Sequence, residues 1–179
     1  VGGVSCVVPF PDAPRRYYAG RWSLDGGAAT TGLPMLEDFG ALSTPIGLVP
    51  APAVGRVYDG FLDYGFGIDA GLGEDEGWPP AVLALEGVPD PVSQHASLGA
   101  SQVAAALSTA SAGQVREGQF GVGIGLVSFG FRAGLGTSSR RTGAGTIGVL
   151  LAANGGELHR LSVDGVPVGR FLAPPPPVS

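Results

Sequence analysis

The apolar positions in the first two thirds of the chain follow a helical period at two places. From Val54 onward they lie three and four residues apart, which places one apolar stripe against a core; its members are Val57, Tyr58, Phe61 and Leu62. A second helix is predicted over residues 97–113, with Ser97 as its N-cap and Gly113 at its end. Three other stretches are interrupted by Gly, Pro or acidic residues and are predicted to be turns or extended loops: residues 30–42, 43–55 and 71–82.

After residue 119 the pattern changes to short apolar runs separated by glycine-rich turns, which predicts a meander of strands. The runs are "FGVGIGLVSFGF", "TIGVLLAA", "ELHRLSV" and "VPVGRFLA". Asn154-Gly155 and Asp164-Gly165 are hairpin signals, because Asn, Asp and Gly accept the positive φ of tight primed turns. Helices and strands followed by an antiparallel run predict the α+β class.

The composition is that of a globular chain. Its 179 residues, 44% of them hydrophobic, are enough to bury one core, so residues 1–179 are predicted to form a single domain. Only residues 172–179 are biased enough to be predicted as an extended, Pro-rich tail. No apolar run approaches the roughly 18 residues of a membrane span. We therefore expect a soluble chain with no membrane partner. We place it in the cytoplasm, and periplasmic and secreted locations are the open alternatives.

Charge and residue usage exclude several functions. A net charge of −5 leaves no basic face for a phosphate backbone, so nucleic acid is not an expected partner. All ten basic residues are arginines, and chemistry that needs a lysine, such as a Schiff base, cannot be carried by this chain. The single cysteine, Cys6, excludes an internal disulfide and is expected in the core.

No catalytic or metal motif is recognisable from spacing alone. His95, in a predicted loop, and His159, in a predicted strand, belong to no nucleophile or metal pattern. The stretch "RRTGAG" after Ser139 cannot open the helix that a dinucleotide-binding fingerprint requires. The acidic residues 74–76 lack the spacing of a calcium loop. We expect no metal and no cofactor, and the segment 130–141, rich in glycine, hydroxyl groups and arginine, has no explanation at this level.

That segment lies within a longer stretch that resembles a known family. Residues 117–156, "EGQFGVGIGLVSFGFRAGLGTSSRRTGAGTIGVLLAANGG", are followed by "LSVDGVPVG" at 161–169. A glycine-rich strand, a G-x-G-T-S-S-R turn, a strand ending in asparagine and a G-V-P-V-G hairpin are together typical of the DmpA-like peptidases. The earlier stretches "TTGLPMLEDFGALSTPIGL" and "ALSTASAGQVREG" are similar to the same family in the same order. The resemblance thus covers nearly the whole chain.

The resemblance implies a self-cleaving hydrolase of the N-terminal-nucleophile type, folded as a four-layer αββα sandwich. This chain would be its α chain. A β chain cut from the same precursor would begin with the nucleophilic Ser or Thr, and αβ units would form an oligomer. Asn154 matches the family's asparagine after the V-x-x-N strand, so its side-chain amide would be the oxyanion donor. From the residues alone Asn154-Gly155 is an ordinary hairpin turn, and the two roles are compatible.

The resemblance also suggests a role for the segment 132–140. It would be a tight turn between two central strands next to the cleavage site, with glycines that permit close backbone approach. Its hydroxyl side chains, Thr137, Ser138 and Ser139, would satisfy buried polar groups. Arg140 would bind backbone or carboxylate groups and not the substrate.

Three stretches depart from the family pattern: "LVPAP" at 48–52 in place of L-T-N-T, "GIGLVS" at 123–128 in place of G-A-G-T-G-M, and the loop at 73–80. Where the family has G-E-x-N-D-G-Y-L, residues 73–80 are "GEDEGWPP". Glu74 matches the family's glutamate and is a candidate anchor for a substrate ammonium group. Trp78 replaces a tyrosine, and an indole donates one hydrogen bond but cannot relay a proton. The family includes aminopeptidases and a pantetheine hydrolase of antibiotic biosynthesis, so the expected substrate is a peptide or a pantetheine-like small-molecule amide.

Two alternatives stay open. The first is a catalytically inactive relative that keeps the sandwich as a binding or structural protein. The tryptophan at position 78 favours it, whereas Asn154 and the intact G-x-G-T-S-S-R turn favour the enzyme. The second is a binding domain unrelated to the family.

Overall fold

The computed structural model describes residues 2–10, 15–24, 29–74, 77–86 and 90–175, and it contains both helices and sheets, as predicted for an α+β chain. The residues form two compact units, Gly3–Ala112 and the part of the chain from Gly113 onward. The helices among the described residues are α1 (Leu33–Phe39), α2 (Val54–Ile68), α3 (Pro91–Ser97) and α4 (Ala100–Ser108). None of them is both long and apolar enough to cross a bilayer.

The described residues of the first unit contain five strands: β1 (Ser5–Val7), β2 (Tyr17–Tyr18), β3 (Ala41–Leu42), β4 (Ile46–Pro50) and β5 (Ala81–Leu85). Strand β4 is the centre of a three-stranded sheet, antiparallel to β1 and parallel to β5, with Leu48 opposite both Ser5 and Leu83. Strands β2 and β3 form a separate antiparallel pair.

The core of the first unit lies between this sheet and helices α2 and α4. Its fully buried members include Val49 of β4, Val57 and Phe61 of α2, and Val103 of α4. The apolar stripe predicted for α2 is therefore largely confirmed. Gly47 of β4 is required by this packing, because a Cβ atom there would lie 2.6 Å from Cε2 of the Phe61 ring.

Two of the predicted loops are wrong. Residues 43–55 contain the buried strand β4 followed by a 3-10 turn at Ala51–Ala53, because a central strand covered on both faces shows no polar alternation. Residues 30–42 contain helix α1, and Pro34 lies in its first turn. The N–H groups of the first turn have no acceptor within the helix, so the missing N–H of proline costs no hydrogen bond there. Gly40 ends that helix at φ 62°, with its N–H donating to the carbonyl of Leu36. The predicted loop at 71–82 is confirmed as far as Pro80 among the described residues.

The helix predicted over 97–113 is also corrected, because this region contains only the last residue of α3 followed by the shorter helix α4. Ser97 is not an N-cap: it is the last residue of α3, and its hydroxyl donates to the carbonyl of Ser93 at 2.6 Å. Helix α4 begins after Gly99, whose N–H donates to Oε1 of Gln102 at 3.0 Å. It ends at Ser108, well before Gly113.

The second unit is built from two hairpins in place of the predicted meander. Strands β6 (Val127–Ser128) and β7 (Phe131–Arg132) form the first, and β8 (Leu135–Thr142) and β9 (Gly145–Ala152) form the second. The runs "ELHRLSV" and "VPVGRFLA" are not regular strands, since they contain 3-10 turns at Leu158–Arg160 and Val168–Arg170.

One of the two predicted hairpin turns is confirmed. Val163 and Val166 exchange both backbone hydrogen bonds at 2.9 Å. Asp164 and Gly165 between them have φ values of 51° and 80°, the signs that a primed turn requires. Of the predicted tail at 172–179, residues 176–179 lie outside the described residues.

Candidate active site

Asn154 lies two residues after the end of β9, and its backbone neighbours are fixed on both sides. The N–H of Ala153 donates to the carbonyl of Gly134 at 3.0 Å, and the N–H of Gly155 donates to the carbonyl of Val127 at 2.8 Å. Asn154 is therefore not the tip of a hairpin between two strands, as the Asn-Gly signal predicted. It lies in a segment held by backbone groups of Gly134, which precedes β8, and Val127 of β6, and Asn154 is exposed.

Gly155 strengthens this attachment. Its carbonyl accepts a hydrogen bond from the N–H of Phe129 at 3.0 Å and another from the hydroxyl of Ser128 at 2.9 Å. Gly155 and Gly156 both have positive φ, at 83° and 90°, a conformation that glycine adopts without strain. The Phe129 ring covers Gly156 so closely that a Cβ atom there would lie 2.7 Å from Cε1 of the ring.

Three glycines allow the backbone to cross itself beside this segment. Gly118 exchanges hydrogen bonds with Leu135 at 2.7 and 2.9 Å. A Cβ atom on Gly134 would lie 2.1 Å from the Gly118 carbonyl oxygen, and one on Gly123 would lie 2.4 Å from the same atom. The close backbone approach expected of the glycines in segment 132–140 is thus confirmed at Gly134.

The side chain of Gln119 organises the loop that follows this crossing. Its Nε2 donates to the carbonyl oxygens of Gly123, at 3.1 Å, and Ala133, while its Oε1 accepts from the N–H of Gly125 at 3.1 Å. One carboxamide thereby satisfies backbone groups up to 14 residues away, which fixes the loop leading to β6. The sequence interpretation missed this residue.

Glu117 makes a second contact that the sequence interpretation missed. Its Oε1 accepts two hydrogen bonds from Thr137, one from the backbone N–H at 2.7 Å and one from the hydroxyl at 2.5 Å. These bonds lower the pKa of the Glu117 carboxyl, the side-chain hydrogen bond more than the backbone one. The carboxylate thus anchors the early part of β8, two residues beyond the Gly118–Leu135 pair.

The depressed pKa of Glu117 predicts a pH effect on stability. A carboxyl with a lowered folded-state pKa stabilises the protein above its ordinary pKa of about 4.3, and this stabilisation is lost as pH falls through the folded-state value. Glu117→Gln should therefore flatten the dependence of the urea midpoint on pH below about 4.3. Thr137→Val, which removes only the hydroxyl donor, should flatten it partly. Parallel curves for wild type and Glu117→Gln would contradict the assignment.

The rest of segment 132–140 differs from the prediction. It is not a tight turn, because residues from Leu135 onward form strand β8. The side chains expected to satisfy buried polar groups are instead exposed: Thr137, Ser138 and Ser139. Arg140 is exposed as well, opposite Ile147 of β9. The "RRTGAG" stretch continues β8 and turns into β9, which agrees with its exclusion as a helix start.

Glu74 and Trp78 both lie in the first unit, after α2. Glu74 is exposed at the end of a turn in which its N–H donates to the carbonyl of Gly71 at 3.1 Å. Trp78 is buried, its ring approaches Gly65 of α2, and its Nε1 donates to the carbonyl of Ser43 at 3.2 Å. The other two acidic residues of the cluster, 75 and 76, lie outside the described residues.

The remaining candidate groups form no site. His95 lies in α3, not in a loop, with Nδ1 2.8 Å from the carbonyl oxygen of Pro52. His159 lies in a 3-10 turn, not in a strand, beside Glu157. Burial raises the pKa of the Cys6 thiol to about 12. Within the described ranges, no three His, Cys, Asp or Glu side chains are grouped to hold a metal ion.

Comparison with known proteins identifies the family. The model of Peptidase family S58 matches residues 1–176. With the match covering nearly all of its 179 residues, the chain belongs to Peptidase family S58, and the resemblance inferred from the sequence is confirmed.

Particular relatives agree with this assignment. The chain is 33% identical over 159 residues to the beta-peptidyl aminopeptidase BapA of Sphingosinicella xenopeptidilytica, covering 86% of this chain and 39% of that protein. It is 34% identical to the solved beta-aminopeptidase of Burkholderia sp., with a TM-score of 0.88, covering 98% of this chain and 51% of the other.

The description of a third relative states the fold of that protein. The solved L-aminopeptidase D-Ala-esterase/amidase of Ochrobactrum anthropi is 26% identical, with a TM-score of 0.79, over 96% of this chain and 56% of the other. That structure is described as a variant of the Ntn hydrolase fold. The chain spans about two fifths of the length of the curated relatives and about half of the solved chains.

Proposed function

We propose that this chain is one part of an amide-bond hydrolase activated by self-cleavage, and that Asn154 is its oxyanion donor. The observation that supports the proposal is the position of Asn154, fixed by hydrogen bonds of Ala153 and Gly155 within a chain that belongs to Peptidase family S58. A donor whose backbone is held before the reaction needs no reorganisation when charge develops.

The proposed nucleophile is a Ser or Thr at the start of a second polypeptide cut from the same precursor. Its hydroxyl oxygen attacks the substrate's carbonyl carbon, and its proton passes to the free α-amine of the same residue. Nδ2 of Asn154 donates to the oxygen that becomes negative. The tetrahedral intermediate then expels the amine half of the substrate, which takes up the proton held by the α-amine of the nucleophilic residue. Water hydrolyses the ester that joins the acyl half of the substrate to that residue. No cofactor takes part in this sequence.

Glu74 and Trp78 are proposed as substrate-binding residues. Glu74 is exposed and carries a carboxylate suited to an ammonium group, as in a peptide with a free N-terminus. Trp78 would act by shape, because its one N–H donates to the carbonyl of Ser43 and its ring packs on Gly65. Aminopeptidase activity is the leading proposal, and a small-molecule amidase of the pantetheine hydrolase type is the second.

The wider assembly is also part of the proposal. The four-layer αββα sandwich would form from this chain together with the second polypeptide, and such pairs would form an oligomer. The length of the relatives, about twice that of this chain, supports a second polypeptide of similar size. One observation favours a catalytically inactive relative. The single side-chain donor of Trp78, its Nε1–H, already donates to the carbonyl of Ser43.

Mass spectrometry under denaturing conditions, with N-terminal sequencing, tests the central proposal on protein expressed from the whole gene. We expect a second polypeptide that co-purifies with this chain and begins with Ser or Thr. A single uncut polypeptide, or a second one without a hydroxyl at its N-terminus, would contradict self-cleavage and favour the inactive relative.

A further inference from the structure

The carboxamide of Gln119 contacts the backbone directly before one of the two groups that hold Asn154. The carbonyl of Gly134 accepts from the N–H of Ala153, the neighbour of Asn154, at 3.0 Å. Nε2 of Gln119 donates to the carbonyl of Ala133, one residue before Gly134. The Gly134 carbonyl is thus one peptide unit away from a hydrogen bond made by the Gln119 side chain.

The second group that holds Asn154 has the same relation to Gln119. The carbonyl of Val127 accepts from the N–H of the residue after Asn154 at 2.8 Å. Nε2 of Gln119 also lies 3.5 Å from the carbonyl of Leu126, one residue before Val127. That carbonyl accepts from the N–H of Ala133 at 2.9 Å, which joins the two stretches. Both carbonyls that hold Asn154 therefore lie one residue beyond a carbonyl in contact with Gln119.

The loop between Gln119 and Leu126 is rich in glycine, and Gln119 binds it at two further points. Gly121 and Gly125 have positive φ, at 53° and 83°. Glycine loses more conformational freedom on folding than any other residue, so such a loop is costly to fix. Nε2 of Gln119 donates to the carbonyl of Gly123 at 3.1 Å, and its Oε1 accepts from the N–H of Gly125 at 3.1 Å. One side chain thus restricts the backbone along most of the loop.

Gln119 is exposed, whereas the apolar side chains of the same loop are buried. Val122 and Leu126 have 0% and 1% of their surface exposed. Because Gln119 lies outside this buried set, a substitution there should leave folding largely intact. Its carboxamide supplies the position of the backbone groups that it binds.

We propose that Gln119 is a positioning residue for Asn154. Its carboxamide fixes the backbone on which Asn154 is held, and thereby sets where the side-chain amide of Asn154 meets the oxygen that becomes negative. This inference rests on the proposed oxyanion role of Asn154. A preorganised donor acts through its position, and a displacement of about 1 Å can lower a rate by up to about 10²-fold.

A double-mutant cycle tests whether Gln119 acts through Asn154. Gln119→Ala should lower kcat of the assembled protein on a chromogenic aminoacyl amide about tenfold, with KM nearly unchanged. In protein that already carries Asn154→Ala, the same change should lower kcat by less than about twofold, because the donor that it positions is gone. Gln114→Ala, the same substitution at an exposed glutamine of the same unit, should leave kcat at the wild-type value.

Gln119→Glu is the second variant. It keeps the length of the side chain and an acceptor for the N–H of Gly125, but it replaces the donor with a carboxylate oxygen that faces the carbonyl of Ala133. Its kcat should fall at least as far as that of Gln119→Ala. The same cycle with Asn154→Ala decides the question if Gln119→Ala does not assemble.

Hydrogen exchange followed by mass spectrometry measures the effect on the backbone without catalysis. Peptides that contain residues 153–155 report the N–H groups that donate to Gly134 and Val127. These groups should exchange at least about threefold faster in Gln119→Ala than in the wild type, whereas Gln114→Ala should match the wild type. Unchanged exchange in Gln119→Ala would overturn the proposal.

The outcomes separate this inference from the proposed function. If Asn154→Ala lowers kcat but Gln119→Ala costs the same factor with and without Asn154, the oxyanion assignment stands and Gln119 is not a positioning residue. If Asn154→Ala turns over substrate like the wild type, the oxyanion assignment is wrong and the positioning role is contradicted with it.

Discussion

Asn154→Ala is expected to lower amide hydrolysis by the assembled protein about 10²- to 10³-fold, the effect of removing one oxyanion donor. The loss should appear in kcat with little change in KM, because the hydrogen bond strengthens as negative charge develops on the substrate oxygen. Self-cleavage, if it uses the same donor, should slow in parallel. Steady-state kinetics on a chromogenic aminoacyl amide would measure the first effect, and gel analysis of precursor processing the second.

The control for this variant is Ser139→Ala, an exposed residue of β8 outside the proposed machinery. It should assemble and turn over substrate like the wild type. Asn154→Asp keeps the shape of the side chain but replaces the donor with a negative charge, so its kcat should fall at least as far as that of Asn154→Ala. Full activity in either Asn154 variant would remove the oxyanion assignment.

Phe61→Ala is expected to lower the free energy of unfolding of the first unit by about 3–5 kcal/mol. Phe61 is fully buried between α2 and the sheet, and its ring fills the space left by Gly47. Removing the ring creates a cavity that neither β4 nor α2 can close without moving the backbone. Chemical denaturation of the assembled protein, followed by circular dichroism, would measure the change.

Phe66→Ala provides the matched control for this prediction. Phe66 lies on the same helix, but half of its surface is exposed. The same truncation there should change stability by no more than about 0.5 kcal/mol, the usual range for surface positions. Equal losses in the two variants would mean that the core is not where the structure places it.

The sequence predicted elements whose pattern is local and periodic. Helix α2 was found because its apolar residues repeat every three or four positions over four turns. Strand β4 was not predicted, because the prolines of residues 43–55 suggested a loop. A central strand also has apolar residues on both faces and therefore shows no alternation. Helix α3 was missed because its seven residues, PVSQHAS, carry no apolar stripe.

The candidate site shows a different limit of prediction from sequence. Asn154 came from the family resemblance, since its residue type and neighbour Gly155 alone predicted a simple hairpin turn. What holds Asn154 in place are backbone groups of Gly134 and Val127, about 20 and 27 residues earlier in the chain. Glu117 and Gln119 bind partners up to 20 and 14 residues away, respectively. No period or motif in a single sequence encodes such pairings.

The close backbone approach at Gly118, Gly123 and Gly134 determines which substitutions this region tolerates. The N–H groups of Ala153 and Gly155, on either side of Asn154, donate to main-chain carbonyls, so neighbouring side chains can be exchanged without removing these bonds. Gly123 and Gly134 cannot be exchanged in this way, because any side chain at either position would collide with the carbonyl of Gly118. Side chains beside Asn154 can therefore change while the backbone path that carries Asn154 stays the same.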